Sequence, residues 1–251
     1  MRIAFLGSGY TGQFFSFPGD ETLHTSRRRE RAGQPGWEVF DSARPETWRA
    51  LEEFAPQGVV VAFALSGSPH EAALGDFLLS LSSRVVVIGT TGALLPVDGE
   101  VTDGSSLVPD HPRALAEERL RTLGAAVLHA AGLYGPGRNP LDWLRRGRIG
   151  NAGKVVNLVH GEDLARACRF LLEHFHPAER LVISDGQPRP WREIIAFALQ
   201  HGYLEDPQLP DRPDPTSKRV APGELFRRGF TLAHPDLFAE LEALERGHFR
   251  R

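Results

Sequence analysis

The chain predicts an α/β fold in which a doubly wound parallel sheet carries a smaller C-terminal lobe, and three observations point there. An apolar run, Ile3–Leu6, leads straight into Gly7-Ser8-Gly9-Tyr10-Thr11-Gly12. Apolar runs of strand length then alternate with amphipathic stretches, the pattern of parallel strands joined by helices. One run, Gly58–Leu65 (GVVVAFAL), is continuous rather than alternating. A strand buried on both faces requires this, which puts it in the middle of the sheet. With 251 residues, 41% of them hydrophobic, the chain is long and apolar enough for one large domain with a small lobe.

The first unit is read as strand, glycine turn, short helix and a second strand, Thr22–Thr25. The glycine spacing is that of a dinucleotide site. Gly7 permits the turn, Gly9 lets the backbone approach a pyrophosphate, and Gly12 lets the helix sit close to the sheet. Amides at the helix N-terminus then face the phosphates. The helix must be short, because only Gln13–Asp20 separates Gly12 from the second strand and Pro18-Gly19 ends it. Phe14, Phe15 and Phe17 are assigned to the core. After the second strand come Ser26-Arg27-Arg28, with no carboxylate until Glu30. An acid there would bond the ribose 2′-OH of NAD, whereas arginine accommodates the 2′-phosphate of NADP. NADP is the expected cofactor and NAD the alternative. The plain reading of the arginines, a solvated surface turn, stands beside it.

Trp37–Phe40 is the third strand, ending in Asp41-Ser42, and Pro45–Phe54 the helix after it. Gly58–Leu65 is the fourth strand, and Ser66-Gly67-Ser68-Pro69 opens a helix over about His70–Leu81. Arg84–Ile88 is the fifth and runs into Gly89-Thr90-Thr91-Gly92. In such sheets ligands lie beyond the carboxyl ends of the strands, so Leu65–Ser68 and Gly89–Gly92 are expected to line the site. A looser segment, 96–112, precedes a helix over Arg113–Leu123. The sixth strand, Ala125–Ala131, then leads into Gly132-Leu133-Tyr134-Gly135-Pro136-Gly137-Arg138-Asn139-Pro140. The cofactor domain is drawn as 1–140 plus 154–184, and the small lobe as 141–153 plus 185–251. Pro207–Pro215 is a proline-stiffened loop within that lobe.

Composition removes several function classes. A net charge of −3 gives no footing for nucleic acid, and no apolar run reaches the roughly 18 residues a membrane span needs. The single cysteine, Cys168, excludes an internal disulfide, and with no signal peptide before Ile3 a cytoplasmic location is expected. No Gly-x-Ser-x-Gly elbow suggests a hydrolase. His174 and His176 lack the Cys or carboxylate company of a metal site, so no metal is expected. The expected partner is a small-molecule substrate, and the chain a monomer or homodimer. Lysine occurs only at 154 and 218, so a mechanism that needs one has two candidates.

Four pieces together, GSGYTG at the start, TTG after the fifth strand, LYGPGRNPL after the sixth and NLVHGEDLARA at Asn157–Ala167, resemble the extended short-chain dehydrogenase/reductase superfamily. Its members are also described as NAD-dependent epimerase/dehydratase-like proteins, and the resemblance is to the atypical branch. It runs nearly end to end, through LVISDGQPRPWREII at 181–195 and SKRV…FRRGF at 217–230. It implies a Rossmann-like fold, pyrophosphate on Gly7, Gly9, Tyr10, Thr11 and Gly12, and a 2′-phosphate at Arg27 or Arg28. It also implies an active-site hydroxyl at Thr91 and cofactor contacts at Leu65 and Gly132.

The superfamily's Tyr and Lys, four residues apart, belong near Arg113–Glu117 and are absent there. No Tyr-x-x-x-Lys occurs anywhere in the chain. A tyrosinate serves as a base near neutral pH only when a cation lowers its pKa from about 10. Arg113 can orient an anion but holds its proton too firmly to abstract another. The substitutes are Thr91, read equally as a turn cap, and Tyr134, whose phenolate a nearby Arg138 would stabilise. Arg113, Arg138 and Asn139 are candidates for an anionic substrate group, the last two equally for bracing their loop. His160 is read as structural, and Asp163 as capping or supporting the helix that starts there. The leading expectation is an NADP-binding oxidoreductase or epimerase-like enzyme acting on a small polar substrate. The alternative is a non-catalytic NADP-binding sensor or scaffold.

Overall fold

The computed structural model describes residues 1–31 and 33–248. Seven strands form one sheet: β1 Arg2–Leu6, β2 Glu21–Ser26, β3 Trp37–Val39, β4 Gly58–Val61, β5 Val85–Thr90, β6 Ala126–Ala130 and β7 Arg180–Ile183. Their order is β7-β6-β5-β4-β1-β2-β3 and every pairing is parallel. The chain leaves β1 toward β2 on one side and returns to β4 on the other, so the doubly wound sheet switches direction between β1 and β4. Ligands collect at the carboxyl edge of such a switch point.

The alternation of strand side chains sorts the core into two faces. Ile3, Phe5, Val60, Val86 and Leu128 face one side, under Leu164, Cys168, Leu171 and Leu172 of α5, Gly161–Glu173. Ala4, Leu6, Val59, Val61, Val85 and Val87 face the other. There they meet Leu51 of α1 (Arg49–Phe54), Leu74 and Leu78 of α2 (Glu71–Leu81) and Leu120 of α3 (Pro112–Thr122). Val59, Val60 and Val61 are completely buried, each contributing roughly 1.5–3 kcal/mol. This is why GVVVAFAL reads as continuous. At Gly75 an added Cβ would lie 2.7 Å from Leu120 Cδ1, so α2 and α3 pack without room for a side chain. A third core joins Tyr134, Leu141 and Leu144 to Trp191, Ile194, Leu237 and Leu241. Apart from Tyr134, which precedes them in the chain, these come from α4 (Pro140–Arg145), α6 (Trp191–Gln200) and α8 (Leu237–His248).

Several elements differ from the sequence reading. The fourth strand stops at Val61, because β1 turns away at Gly7 and the Ala62 amide makes the last bond, 2.8 Å to the Leu6 carbonyl. The helix expected after the glycine turn is a single 3-10 turn, Thr11–Phe14, so a helix dipole adds little at the glycine turn. Pro45–Thr47 is likewise 3-10 before α1 begins. β7, a four-residue edge strand, is too short to stand out in the hydrophobic pattern. The segment after residue 185 does not stay in the small lobe. Leu225, in α7 (Glu224–Arg227), and Phe230 are buried in the core beneath the large sheet. Among the described residues no helix is long and apolar enough to cross a membrane.

Candidate functional site

A cleft of about 720 Å³ opens at the carboxyl ends of β1, β2, β3 and β4. Its floor is the glycine turn. Gly7 has φ +81°, and a Cβ there would meet the Phe63 ring at 2.9 Å, so this position demands glycine twice over. The turn is fastened to β2: the Gly7 amide donates to Thr25 Oγ1 at 3.1 Å and the Ser8 amide to the Thr25 carbonyl at 2.8 Å. Gly9 is exposed, and the nearest atom to an added Cβ is the Gly7 carbonyl oxygen at 3.8 Å. The space above it is open to a ligand. Gly12 packs inward, its notional Cβ 2.8 Å from Ser8 Cβ. Gly7 and Gly9 thus border the cleft, while buried Thr11 and Gly12 support the turn.

Ser26, Arg27, Arg28 and Arg31 form one rim. The Ser26 hydroxyl accepts from the Arg28 amide at 3.1 Å, fixing the loop's bend. Arg27 and Arg28 are exposed, and among the described residues neither pairs with a carboxylate. Arg31 lies with its guanidinium 4.6 Å from the Trp37 ring centroid. Beneath the turn, burial and then Arg31 push the His24 imidazole below its usual pKa, so it stays neutral at pH 7. The opposite wall is Phe40–Ala43, Phe63, Ala64 and Ser66–Ser68. Asp41, Ser42 and Arg31 were not singled out as site residues, although the signal was there for the first two, which follow the third strand. Leu65 itself points away, 1% exposed among the apolar residues of the second face, so its neighbours rather than its side chain reach the cleft.

Beyond the neighbouring strand ends lies the region of the expected reaction site. Thr90, not Thr91, caps the 3-10 turn Thr91–Ala93, accepting from the Gly92 amide at 3.2 Å. The Thr91 hydroxyl has no hydrogen-bond partner among the described residues. Its carbonyl accepts from Lys218 Nζ at 2.5 Å. The place of the missing Tyr/Lys pair holds a brace. Arg113 donates to Glu117 Oε1 and to the Ile88 carbonyl, both at 2.6 Å. Glu117 is buried, which raises its pKa against the pull of Arg113. His129 lies 3.8 Å from its other oxygen, contacts the Thr90 carbonyl at 3.1 Å, and is pushed by burial to a pKa of about 4. Arg113, expected as a substrate contact, holds the end of β5 through these two bonds.

The loop after β6 also departs from expectation. Tyr134 is fully buried, packed edge-on to His160, with a hydroxyl that has no partner among the described residues. Burial, with Asp185 next, raises its pKa, so a phenolate is not accessible there. Positive φ at Gly135 and Gly137 turns the loop back, and Arg138 stacks over Tyr10 at 5.1 Å. Burial pushes the Tyr10 hydroxyl up to about 12 despite that cation. Asn139 is buried, caps α4 by accepting from the Leu141 amide at 2.9 Å, and donates to Glu245 Oε1 at 2.5 Å. These bonds are those of the bracing role, the alternative to a substrate contact. Gly132 is exposed at the strand end, its amide donating to the Asn157 carbonyl at 2.9 Å.

His160 caps α5 through its Nδ1, which accepts from the Glu162 amide at 3.3 Å. Asp163 supports the helix differently, accepting the Ala233 and His234 amides at 2.6 and 3.0 Å. Ligand atoms of His160, Glu162 and His234 lie within 4.8 Å of one another, a spacing that suits a metal. However, both His234 nitrogens already face carboxylates, Glu162 at 3.0 Å and Glu240 at 2.8 Å. Burial opposes the charge, yet these two bonds raise the His234 pKa, and the group clamps α5 to α8. His174 and His176 are exposed.

No protein-family model and no curated protein matches the chain. Solved structures match along nearly its whole length. A conserved protein of unknown function from Silicibacter pomeroyi is 23% identical, over 98% of each chain, with a TM-score of 0.75. The Bordetella bronchiseptica enzyme WbmG, solved with NAD, is 15% identical over 99% of this chain and 94% of its own, TM-score 0.73. A UDP-glucose 4-epimerase from Thermotoga maritima, solved with UDP-glucose, is 15% identical over 100% and 99%, TM-score 0.72. The chain has the Rossmann-like fold that these proteins share.

Proposed function

We propose that the chain binds NADP(H) in the cleft above Gly7–Gly9 and acts as an oxidoreductase or epimerase-like enzyme on a small polar substrate, without a Tyr-x-x-x-Lys pair. The observation that carries this reading is the pairing of an open glycine turn with Arg27 and Arg28, cations without carboxylate partners among the described residues, where NAD sites place an acid. The residues fit the group. Gly9 leaves room for a pyrophosphate, the arginines offer charge to a 2′-phosphate, and Phe40–Ser42 with Ser66–Ser68 offer a wall to the adenosine. The NAD bound by WbmG and the UDP-glucose bound by the Thermotoga epimerase support a nicotinamide dinucleotide and a polar substrate.

When bound, the dinucleotide supplies or accepts a hydride. The chain's part is to orient the reactants. We assign the free Thr91 hydroxyl to a substrate oxygen, the exposed Gly132 backbone to the border of the nicotinamide pocket, and exposed Arg138 to an anionic substrate group. A small-molecule partner, a cytoplasmic location and a monomer or homodimer belong to the same proposal. The second reading, a non-catalytic NADP sensor or scaffold, is favoured by one observation, the Arg113–Glu117 brace where a catalytic pair would stand. Screening NADPH oxidation against carbonyl compounds and nucleotide sugars separates the two. Turnover with any of them supports the enzyme, and tight NADPH binding without turnover supports the sensor.

A further inference from the structure

The chain has two lysines, and they are placed in opposite ways. Lys154 is exposed, 3.7 Å from Asp214. Lys218 is half-buried and crosses from the C-terminal segment to the carboxyl edge of the sheet. Its carbonyl accepts from Asn157 Nδ2 at 2.8 Å, and the Asn157 carbonyl accepts from the Gly132 amide, so its main chain is moored beside the exit of β6. Its ammonium reaches the turn after β5, where the carbonyls of Thr91 and Leu94 accept at 2.5 and 3.2 Å. Because β5 and β6 are neighbours, the side chain runs along the carboxyl edge of the sheet from the exit of β6 to the turn after β5.

Two features separate this lysine from a simple tie between segments. Nζ has three protons and only two acceptors among the described residues, which leaves one donor over. No carboxylate among the described residues forms an ion pair with it. A half-buried ammonium without a counter-charge is costly to a fold, and such groups gather at functional sites. Burial lowers its pKa, in the direction that makes its proton easier to give up.

We propose that Lys218 Nζ faces the nicotinamide end of the dinucleotide site and is the proton donor to the reacting oxygen of the substrate, a lysine delivered from the C-terminal segment rather than from α3. The proton passes from the ammonium to that oxygen, and the neutral amine regains one from a buffer acid. Thr91 fits this role as a companion, because the residue whose hydroxyl is free also holds the lysine through its carbonyl.

The inference rests on the NADP(H) reading, and one preparation tests the two separately. NADPH affinity is measured first by calorimetry. The full chain is then acylated with a limiting amount of succinimidyl acetate, with and without NADPH, and the extent at Lys218 and Lys154 is read by peptide mass spectrometry. With NADPH at about 100 times its Kd nearly every site is filled, so acylation of Lys218 should fall by about tenfold or more while Lys154 changes less than about twofold. Lys218 that is acylated equally with and without bound NADPH, or that resists acylation even without it, overturns the proposal. Calorimetry without NADPH binding overturns the function reading, and the inference falls with it.

Discussion

Thr25 holds Gly7 and its neighbour from below, the hydroxyl on the Gly7 amide at 3.1 Å and the carbonyl on the Ser8 amide at 2.8 Å. Because Thr25 is the last residue before Ser26-Arg27-Arg28, one buried side chain sets the distance between the glycine turn and the basic rim. Thr25→Val keeps the shape and removes the acceptor, leaving a partly buried amide unpaired. The expected cost is about 1–3 kcal/mol of stability. Thermal denaturation checks it, with weakened NADPH binding in calorimetry as the companion result.

Two glycines of the same turn should respond in opposite ways. Gly9→Val places its side chain in open space, so the protein should fold with near-normal stability while NADPH affinity falls by about a hundredfold or more, about 2.7 kcal/mol. Gly12→Val drives a Cβ into Ser8, so it should lower stability. Circular dichroism melts and calorimetry on the pair distinguish a ligand-facing glycine from a packing one.

Tyr134→Phe removes a buried hydroxyl that has no partner among the described residues, so stability should hold or rise and turnover should stay within about twofold of wild type. Thr91→Ala should lower kcat by about tenfold, the loss of one hydrogen bond of about 1.4 kcal/mol in the transition state. Steady-state kinetics on any substrate found by the NADPH screen compares them.

The His234 clamp predicts a pH dependence. Its folded pKa is raised by Glu240 and Glu162 against the effect of burial. The contribution is therefore complete below the unfolded value of about 6.5 and is lost as pH rises through the folded value. His234→Gln should cost about 1 kcal/mol at pH 6, with solvent screening of the partly exposed carboxylates allowed for, and much less at pH 9. Chemical denaturation at the two pH values measures the difference.

The fold was legible because its signals are local: buried β-branched runs such as Val59–Val61 mark central strands, and Gly7 marks a turn that only glycine completes. The strand ends were not, since Ala62–Leu65 is as apolar as the strand before it and stops pairing only because β1 turns away. The lining of the cleft follows strand order, so Ser26–Arg28 and Ser66–Ser68 fall at strand ends that the chain alone marks. The reaction half could not. Whether Tyr134 faces a ligand or a core depends on the φ angles of Gly135 and Gly137. The position of Lys218 depends on a tie to Asn157, 61 residues away. Arg113 and Glu117 look available in sequence because nothing there announces the Ile88 carbonyl that Arg113 holds.

The central claim is that Arg27 and Arg28 read a 2′-phosphate, and calorimetric titration of the wild type and of Arg27→Ala/Arg28→Ala with NADPH and NADH tests it most directly. A charged contact to phosphate is worth about 1.5–3 kcal/mol, so the wild type should bind NADPH roughly ten- to a hundredfold tighter than NADH, and the double variant should lose most of that margin. Equal affinities of the wild type for the two cofactors would contradict the account.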